Sequence, residues 1–169
     1  FVFTFGSHTD GDKSMKELLG GKGANLAEMC NIGIPVPPGF TITTKACQKT
    51  IENGMHWPDS LYEQVIKGVN HIEKDMNLGF GDPNKPLLLS VRSGAAVSMP
   101  GMMDTILNLG MNDLVAKALI DQFGNERFVY DSYRRFIDMF GDVVMGVEHS
   151  LFEEAMEKLK AEVGASSDL

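Results

Sequence analysis

A short apolar run that ends at an arginine constrains the fold of this chain more than any other segment. Residues 87–91 read Leu-Leu-Leu-Ser-Val, Pro86 precedes them, and Arg92 follows them. A continuous apolar run of this length is typical of a strand that is buried on both faces, as in the sheets of α/β proteins. We therefore predict a central strand here, with a cationic side chain at its end.

The other segments predict a mixture of strands and helices. Phe alternates with Val and Thr in residues 1–5, which predicts an opening strand. The glycines at 20–23 predict a loop. Three prolines make residues 34–40 extended. Apolar spacing predicts a further strand at 41–43 and helices near 24–31, 45–53, 58–76, 113–123, 125–140 and 150–161.

The composition of the chain changes near residues 110–112. Strands and helices alternate before this point, whereas helical periodicity dominates after it. We therefore predict an α/β (α+β) fold in two parts, a mixed α/β domain over residues 1–111 and a helical subdomain over residues 112–169.

Charge and cysteine content exclude several classes of protein. The net charge of −8 repels phosphate backbones, so we expect no nucleic-acid partner. No segment approaches the ~20 apolar residues of a membrane span, and the N-terminal residues do not resemble a signal peptide. Cys30 and Cys47 lack ligand spacing and are expected to be reduced thiols. We expect a location in the cytoplasm or an organelle matrix such as a plastid, and no secretion.

The segment Gly20-Gly21-Lys22-Gly23-Ala24-Asn25 is the first candidate site. Glycines allow backbone N–H groups to converge on an anion, and Lys22 would supply a point charge for a phosphate. The spacing is not that of a Walker A loop. A glycine-rich turn with a solvated lysine therefore stays open as the alternative.

Arg92 is the second candidate, because a cationic group at the end of a buried strand must be paired or must face a cleft. Ligands of α/β sheets often bind at strand ends, and arginine can hold phosphate oxygens bidentately. The alternative is an internal ion pair with Asp104 or another acid.

Two further segments carry polar groups that could contact a nucleotide. In residues 98–105, Gly101 permits a close backbone approach, the methionines, including Met103, could face an adenine ring, and Thr105 offers a hydroxyl. The same methionines could fill a core. Arg135 could reach a phosphate, or it could pair with Asp131 four residues earlier on a helix.

The four histidines show neither metal-ligand spacing nor a loop suited to carrying a phosphoryl group. No nucleophile–base pair and no paired carboxylates for a metal can be recognised. The residues by themselves therefore predict an anion or nucleotide site built from Lys22 and Arg92.

The same motifs resemble those of a known family. Residues 18–29, LLGGKGANLAEM, followed by VPPGF at 36–40, are similar to the opening of the dikinases that make phosphoenolpyruvate. LSVRSGA at 89–95 and SMPGMMDTILNLG at 98–110 resemble the pyruvate, phosphate dikinases in particular, and YDSYRRF at 130–136 also fits. The related pyruvate, water dikinases share the first segment and the strand end, but not the methionine-rich run.

The resemblance implies the N-terminal part of an ATP-grasp-like nucleotide-binding domain, followed by a helical subdomain. In such an enzyme ATP, phosphate and pyruvate become AMP, pyrophosphate and phosphoenolpyruvate, with Mg²⁺ and a phosphohistidine on a separate domain. By motif match, Lys22 and Arg92 would contact the ATP phosphates. Gly101, Met103, Asp104 and Thr105 would lie over the nucleotide, and Arg135 is a further ATP-binding candidate. A full enzyme of this family is expected to be a homodimer.

The chain also departs from the pattern that the resemblance implies. Many family members carry an arginine where Ala96 stands, so no phosphate role is assigned there. The acidic Mg²⁺ ligands, the carrier histidine and the pyruvate barrel are expected outside this chain, so we predict no catalytic residue, no metal ligand and no turnover within it. The alternatives are a non-catalytic partner or regulatory module and a fragment of a pyruvate, water dikinase.

Overall fold

A computed structural model describes residues 1–94 and 105–166. The described residues form two compact units, which are treated separately below. The first unit comprises residues 1–79 with 93–94, and the second comprises residues 80–92 with 105–166. The predicted boundary at 111 and 112 lies inside the second unit.

The first unit is a two-stranded sheet covered by helices. Strand β1 (Val2–Phe5) runs antiparallel to β2 (Gly39–Ile42), from the pair Val2 and Ile42 to the pair Phe5 and Gly39. A 3₁₀ turn (Lys13–Met15) leads into α1, and the helices are α1 (Lys16–Asn31), α2 (Thr44–Glu52) and α3 (Leu61–Met76). Both α1 and α3 pack on the two strands. The predicted opening strand and the helices at 45–53 and 58–76 are thus confirmed within a few residues.

Small residues bring these elements close together. A Cβ atom on Gly39 would lie 2.4 Å from the Phe5 ring, and one on Gly68 would lie 2.6 Å from the Phe40 ring. The buried apolar side chains of the first unit are small or aliphatic: Leu19, Ala24, Ala27, Ala46, Leu61 and Ile72. The core of this unit therefore depends on close approach of backbones at glycine and alanine.

The predicted loop at residues 20–23 is wrong, because helix α1 passes through most of it. Only Gly20 leaves the helical region, with φ 69° and ψ 171°, and the helix resumes directly after it. Gly23 serves packing instead, since a Cβ there would lie 2.7 Å from the Thr41 hydroxyl oxygen. The glycines thus allow one kink and one close contact within a helix.

The second unit is built from short strands and three helices. Its elements are β3 (Gly79–Phe80, which begins at the boundary), β4 (Pro86–Leu87), β5 (Leu89–Arg92), β6 (Thr105–Leu109), α4 (Asp113–Phe123), α5 (Glu126–Val143) and α6 (His149–Val163). β3 pairs with β4, and β5 runs antiparallel to β6 with a bulge between Leu89 and Val91. Helix α5 packs against β6 and α4. The core cluster is Met111, Val115, Ala116, Leu119 and Val129.

Capping side chains start α4 and α5. The Asn112 side chain accepts a hydrogen bond from the Val115 amide at 3.0 Å, and Asn125 accepts one from Phe128 at 3.1 Å. Gly124 ends α4 in the left-handed conformation. The predicted bounds of α4 are confirmed, and those of α5 and α6 differ by one to three residues.

The predicted central strand at residues 87–91 is wrong. The run is divided between β4 and β5, and among the described residues β5 pairs with β6 alone. Leu87 is buried, whereas Val91 is 47% exposed. An antiparallel pair of this kind can bury one face and expose the other, so the apolar run did not require a strand covered on both sides.

The structure thus combines helices with small sheets, which agrees with the mixed α/β class expected from the sequence. Within the described residues, no helix is both long and apolar enough to cross a membrane.

Candidate functional site

Lys22 lies on helix α1, two residues after the kink at Gly20. Its Nζ atom donates a hydrogen bond to the backbone carbonyl oxygen of Ser93 at 2.9 Å, within the first unit. The side chain is half-buried. Lys22 therefore projects from a helix toward a segment 71 residues away in the sequence, and not from a glycine-rich turn.

Arg92 is the last residue of β5 in the second unit, and it is exposed. In the antiparallel ladder its partner is Thr105, the first residue of β6, which is half-buried. Arg92 and Thr105, two of the predicted nucleotide-binding residues, are therefore cross-strand neighbours. Side chains of directly opposed residues are close enough to contact the same ligand.

Three of the predicted contact residues, Gly101, Met103 and Asp104, lie outside the described residues, so the alternative ion pair between Arg92 and Asp104 also falls there. Among the residues that the structure describes, Arg92 forms no ion pair.

Arg135 lies on α5 and is 61% exposed. Its Nε atom lies 2.9 Å from Oδ2 of Asp131, one helical turn earlier, and Nη2 of Arg134 lies 2.9 Å from Oδ1 of the same carboxylate. The hydrogen bond from Arg134 and the charges of both arginines hold the pKa of Asp131 below its ordinary value, against the opposing effect of burial. The pairing of Arg135 with Asp131 that the sequence left open is therefore present.

Three predicted site residues thus belong to the second unit. Arg92 and Thr105 are cross-strand neighbours, and α5, which carries Arg135, packs against the strand β6 that begins at Thr105. Lys22 belongs to the first unit. The second unit thus offers two guanidinium groups and a hydroxyl, and the first unit offers an ammonium group; each is a group suited to binding phosphate oxygens.

Sequence reasoning did not anticipate two contacts. The Ser93 carbonyl that binds Lys22 is a backbone atom distant in sequence, so no residue type announces it. The bond from Arg134 to Asp131 follows i,i+3 spacing on a helix, a signal that was available.

A magnesium site would require a cluster of carboxylate side chains. No group of three or more His, Cys, Asp or Glu side chains in the described ranges is arranged to hold a metal ion. Carboxylate oxygens are the ligands that Mg²⁺ prefers, so the described residues do not fit such a site by themselves.

Comparison with known proteins agrees with the motifs. The family described as "Pyruvate phosphate dikinase, AMP/ATP-binding domain" matches residues 16–57, a range that includes Lys22. The chloroplastic pyruvate, phosphate dikinase of Mesembryanthemum crystallinum is 62% identical over 168 residues, which are 99% of this chain and 18% of that protein. The chloroplastic pyruvate, phosphate dikinase of Flaveria pringlei is 59% identical over 168 residues, which are likewise 99% of this chain and 18% of that protein.

A bacterial relative shows the same agreement. The pyruvate, phosphate dikinase of Rhizobium meliloti is 57% identical over 169 residues, which are 99% of this chain and 19% of that protein. The chain therefore spans about a fifth of the length of the curated relatives it matches. These relatives do not favour the alternatives of a regulatory module or a pyruvate, water dikinase. Over 99% of its length, this chain is therefore similar to the N-terminal part of the pyruvate, phosphate dikinases.

Proposed function

We propose that this chain forms part of the ATP site of a pyruvate, phosphate dikinase. Such an enzyme converts ATP, phosphate and pyruvate to AMP, pyrophosphate and phosphoenolpyruvate, through a phosphohistidine on a domain outside this chain. The observation that carries the proposal is the identity of 57–62% to pyruvate, phosphate dikinases over 99% of the chain. The chain by itself is expected to bind ATP without turning it over, because phosphoryl transfer requires the carrier and the acceptor site.

In this proposal the cationic residues bind the phosphates. Lys22 supplies a point charge, Arg92 a guanidinium at a strand end, and Arg135 a second guanidinium, while the Thr105 hydroxyl donates a hydrogen bond. Gly101, Met103 and Asp104, which lie outside the described residues, are proposed as further ATP contacts by motif match. The exposure of Arg92 and Arg135 supports the proposal, since both guanidinium groups are accessible to a ligand.

Magnesium accompanies ATP in the proposed enzyme and would neutralise phosphate charge when bound. Its ligands are expected mainly outside this chain. The ATP-grasp-like architecture is likewise a proposal, which the mixed helix and sheet composition of the two units supports only at the level of fold class.

The remaining partners follow from the same family. Pyruvate and phosphate would be substrates of the full enzyme, the missing dikinase domains would be its intramolecular partners, and the full enzyme would be a homodimer. A plastid or the cytosol is the proposed location, supported by the relatives named as chloroplastic.

Calorimetric titration of the purified 169-residue chain with ATP and Mg²⁺ tests the proposal. Removing a charged phosphate contact typically costs ~1.5–3 kcal/mol, so Lys22→Ala and Arg92→Ala should each weaken binding roughly ten- to hundredfold. Lys16→Ala on α1 and Arg127→Ala on α5 are matched controls, because both remove an exposed positive charge outside the proposed site.

The outcomes separate the parts of the proposal. Weakening by the site variants with unchanged controls supports a partly preformed site. Binding that neither site variant alters would overturn the assignment of Lys22 and Arg92. No binding by a chain shown by circular dichroism to be folded would mean that ATP affinity needs the rest of the enzyme.

A further inference from the structure

One carboxylate on helix α5 holds two consecutive arginines. Asp131 accepts from Nη2 of Arg134 at Oδ1 and from Nε of Arg135 at Oδ2, both at 2.9 Å. The two oxygens of Asp131 are therefore divided between the two guanidinium groups, and neither arginine forms a bidentate pair with the acid.

The three side chains differ in burial. The side chains of Asp131 and Arg134 are 18% and 33% exposed, whereas that of Arg135 is 61% exposed. The Nε atom of Arg134 is buried and has no hydrogen-bond partner among the described residues. The side chains of Asp131 and Arg134 are thus partly buried, whereas that of Arg135 extends into solvent.

The way in which Asp131 binds Arg135 leaves most of its donors available. A guanidinium has five N–H donors, and the contact with Asp131 engages Nε, which carries one of them. The four N–H donors on the two Nη atoms form no hydrogen bond to any residue that the structure describes. A pair of Nη donors matches the oxygen spacing of a phosphate.

We propose that Asp131 is a positioning residue for the ATP site, which holds Arg135 through Nε so that its Nη groups are presented to a phosphate. This inference rests on the proposed function, since it requires Arg135 to bind ATP. Asp131 itself does not touch the nucleotide. Arg134 steadies Asp131 from the buried side through the second carboxylate oxygen.

Positioning and simple electrostatics predict opposite effects for removal of the Asp131 charge. A carboxylate beside a phosphate site repels the ligand, so if charge alone mattered, Asp131→Asn would tighten ATP binding. If Asp131 positions Arg135, loss of the carboxylate leaves the Arg135 side chain free to move, and ATP binding must then order it. Ordering one such side chain typically weakens affinity by roughly two- to tenfold.

The test is calorimetric titration of the 169-residue chain with ATP and Mg²⁺ in five forms: wild type, Asp131→Asn, Arg135→Ala, the double variant, and Asp121→Asn. Asparagine keeps the shape of aspartate, but an NH₂ group, which is a donor, replaces one of the two oxygens that accept from the arginines. Asp121→Asn makes the same change at an exposed position of α4 and controls for net charge. We expect Asp131→Asn to weaken binding about two- to tenfold in the wild-type background and to have no effect when Arg135 is already alanine.

Each other outcome contradicts the inference in a distinct way. Unchanged or tighter binding by Asp131→Asn, while Arg135→Ala weakens binding, overturns the positioning role and leaves the proposed function intact. Equal weakening in both backgrounds means that Asp131 acts through the helix and not through Arg135. If Arg135→Ala has no effect on ATP binding, the assignment of Arg135 to the ATP site fails together with this inference. If the folded wild-type chain does not bind ATP, Asp131 prepares no site in this chain, and the inference fails while the assignment of Arg135 in a full enzyme stands.

Discussion

The Nζ atom of Lys22 lies 2.9 Å from the backbone carbonyl oxygen of Ser93 and donates a hydrogen bond to it. Lys22, a proposed phosphate ligand, is thus oriented by a contact within the first unit. An ammonium group has three donors, so the contact with Ser93 leaves two for phosphate oxygens. The contact spans 71 residues of sequence and joins helix α1 to the segment that follows Arg92.

Replacing Lys22 by methionine should have a small effect on stability compared with its effect on ATP binding. The hydrogen bond to Ser93 is exposed, so water can bind the Ser93 carbonyl when the ammonium group is removed. We expect the free energy of unfolding to fall by less than about 1.5 kcal/mol, with an unchanged urea m-value. A larger loss, measured by urea unfolding, would show that Lys22 is mainly a structural residue.

Gly20→Ala should destabilise the first unit by roughly 1–3 kcal/mol. The conformation of Gly20, φ 69° and ψ 171°, is one that residues with a Cβ atom rarely adopt, and the kink in α1 depends on it. Gly21→Ala is the matched control, because the chain is again helical there and alanine favours a helix. Thermal unfolding of both variants checks this, and equal effects would contradict the assigned kink.

Gly68→Ala should destabilise the contact of α3 with β2. A Cβ atom at this position would lie 2.6 Å from Cδ1 of Phe40, and forced overpacking costs about 1–3 kcal/mol. Phe40→Leu in the same chain should recover part of the loss, because the smaller side chain makes room. A double-mutant cycle of unfolding free energies measures the coupling, and simple additivity would mean that the two residues do not compete for space.

The carboxyl of Asp75 should titrate below its ordinary range. The Ser7 hydroxyl donates to Oδ1 at 2.6 Å and the Ser7 amide donates to Oδ2 at 3.0 Å. These hydrogen bonds, the hydroxyl first, lower the pKa of Asp75 against the effect of burial, and the charges of His71 and Lys74 add to the lowering. We expect Ser7→Ala to raise the pKa of Asp75 toward its ordinary value, as measured by carbon NMR during a pH titration.

The same shift gives the stability of the first unit a pH dependence of known sign. A carboxyl with a lower pKa in the folded than in the unfolded state stabilises the fold above the unfolded pKa, and this stabilisation is lost as the pH falls through the folded pKa. The contribution of Asp75 should therefore be present at pH 7 and decline as the pH falls below about 4. Asp75→Asn should reduce this acid-dependent loss, whereas Asp59→Asn, at an exposed position with no such hydrogen bonds described, should not. Equal acid sensitivity of wild type and Asp75→Asn would contradict the assignment.

Local features of the sequence were enough to predict the helices of the second unit. Asn112 supplies an N-cap and Gly124 a left-handed C-terminus, and apolar residues lie between them at helical spacing. Capping and periodicity act over a few residues, so the bounds of α4 could be predicted without knowledge of its neighbours. The motif around Lys22 likewise indicated the family, because a contiguous motif does not depend on packing.

Burial and pairing could not be predicted in the same way. The run at residues 87–91 has the composition of a central strand, but in the part of the chain that the structure describes β5 pairs only with β6, and Val91 is exposed. A strand's apolar character shows that it can be buried, whereas the number of its neighbours depends on where distant segments of the chain lie. The close contact of Gly23 with Thr41 likewise depends on where a distant segment of the chain lies.

The sequence by itself therefore determined the helices of the second unit and the residue types of the proposed phosphate site, but not the course of α1. The tertiary structure alone decided that Lys22 meets the Ser93 carbonyl, that Thr105 lies opposite Arg92, and that Val91 is exposed. Helical periodicity and caps arise from interactions within one or two turns. Strand pairing and contacts with backbone atoms depend on chain segments far apart in sequence, which no local pattern specifies.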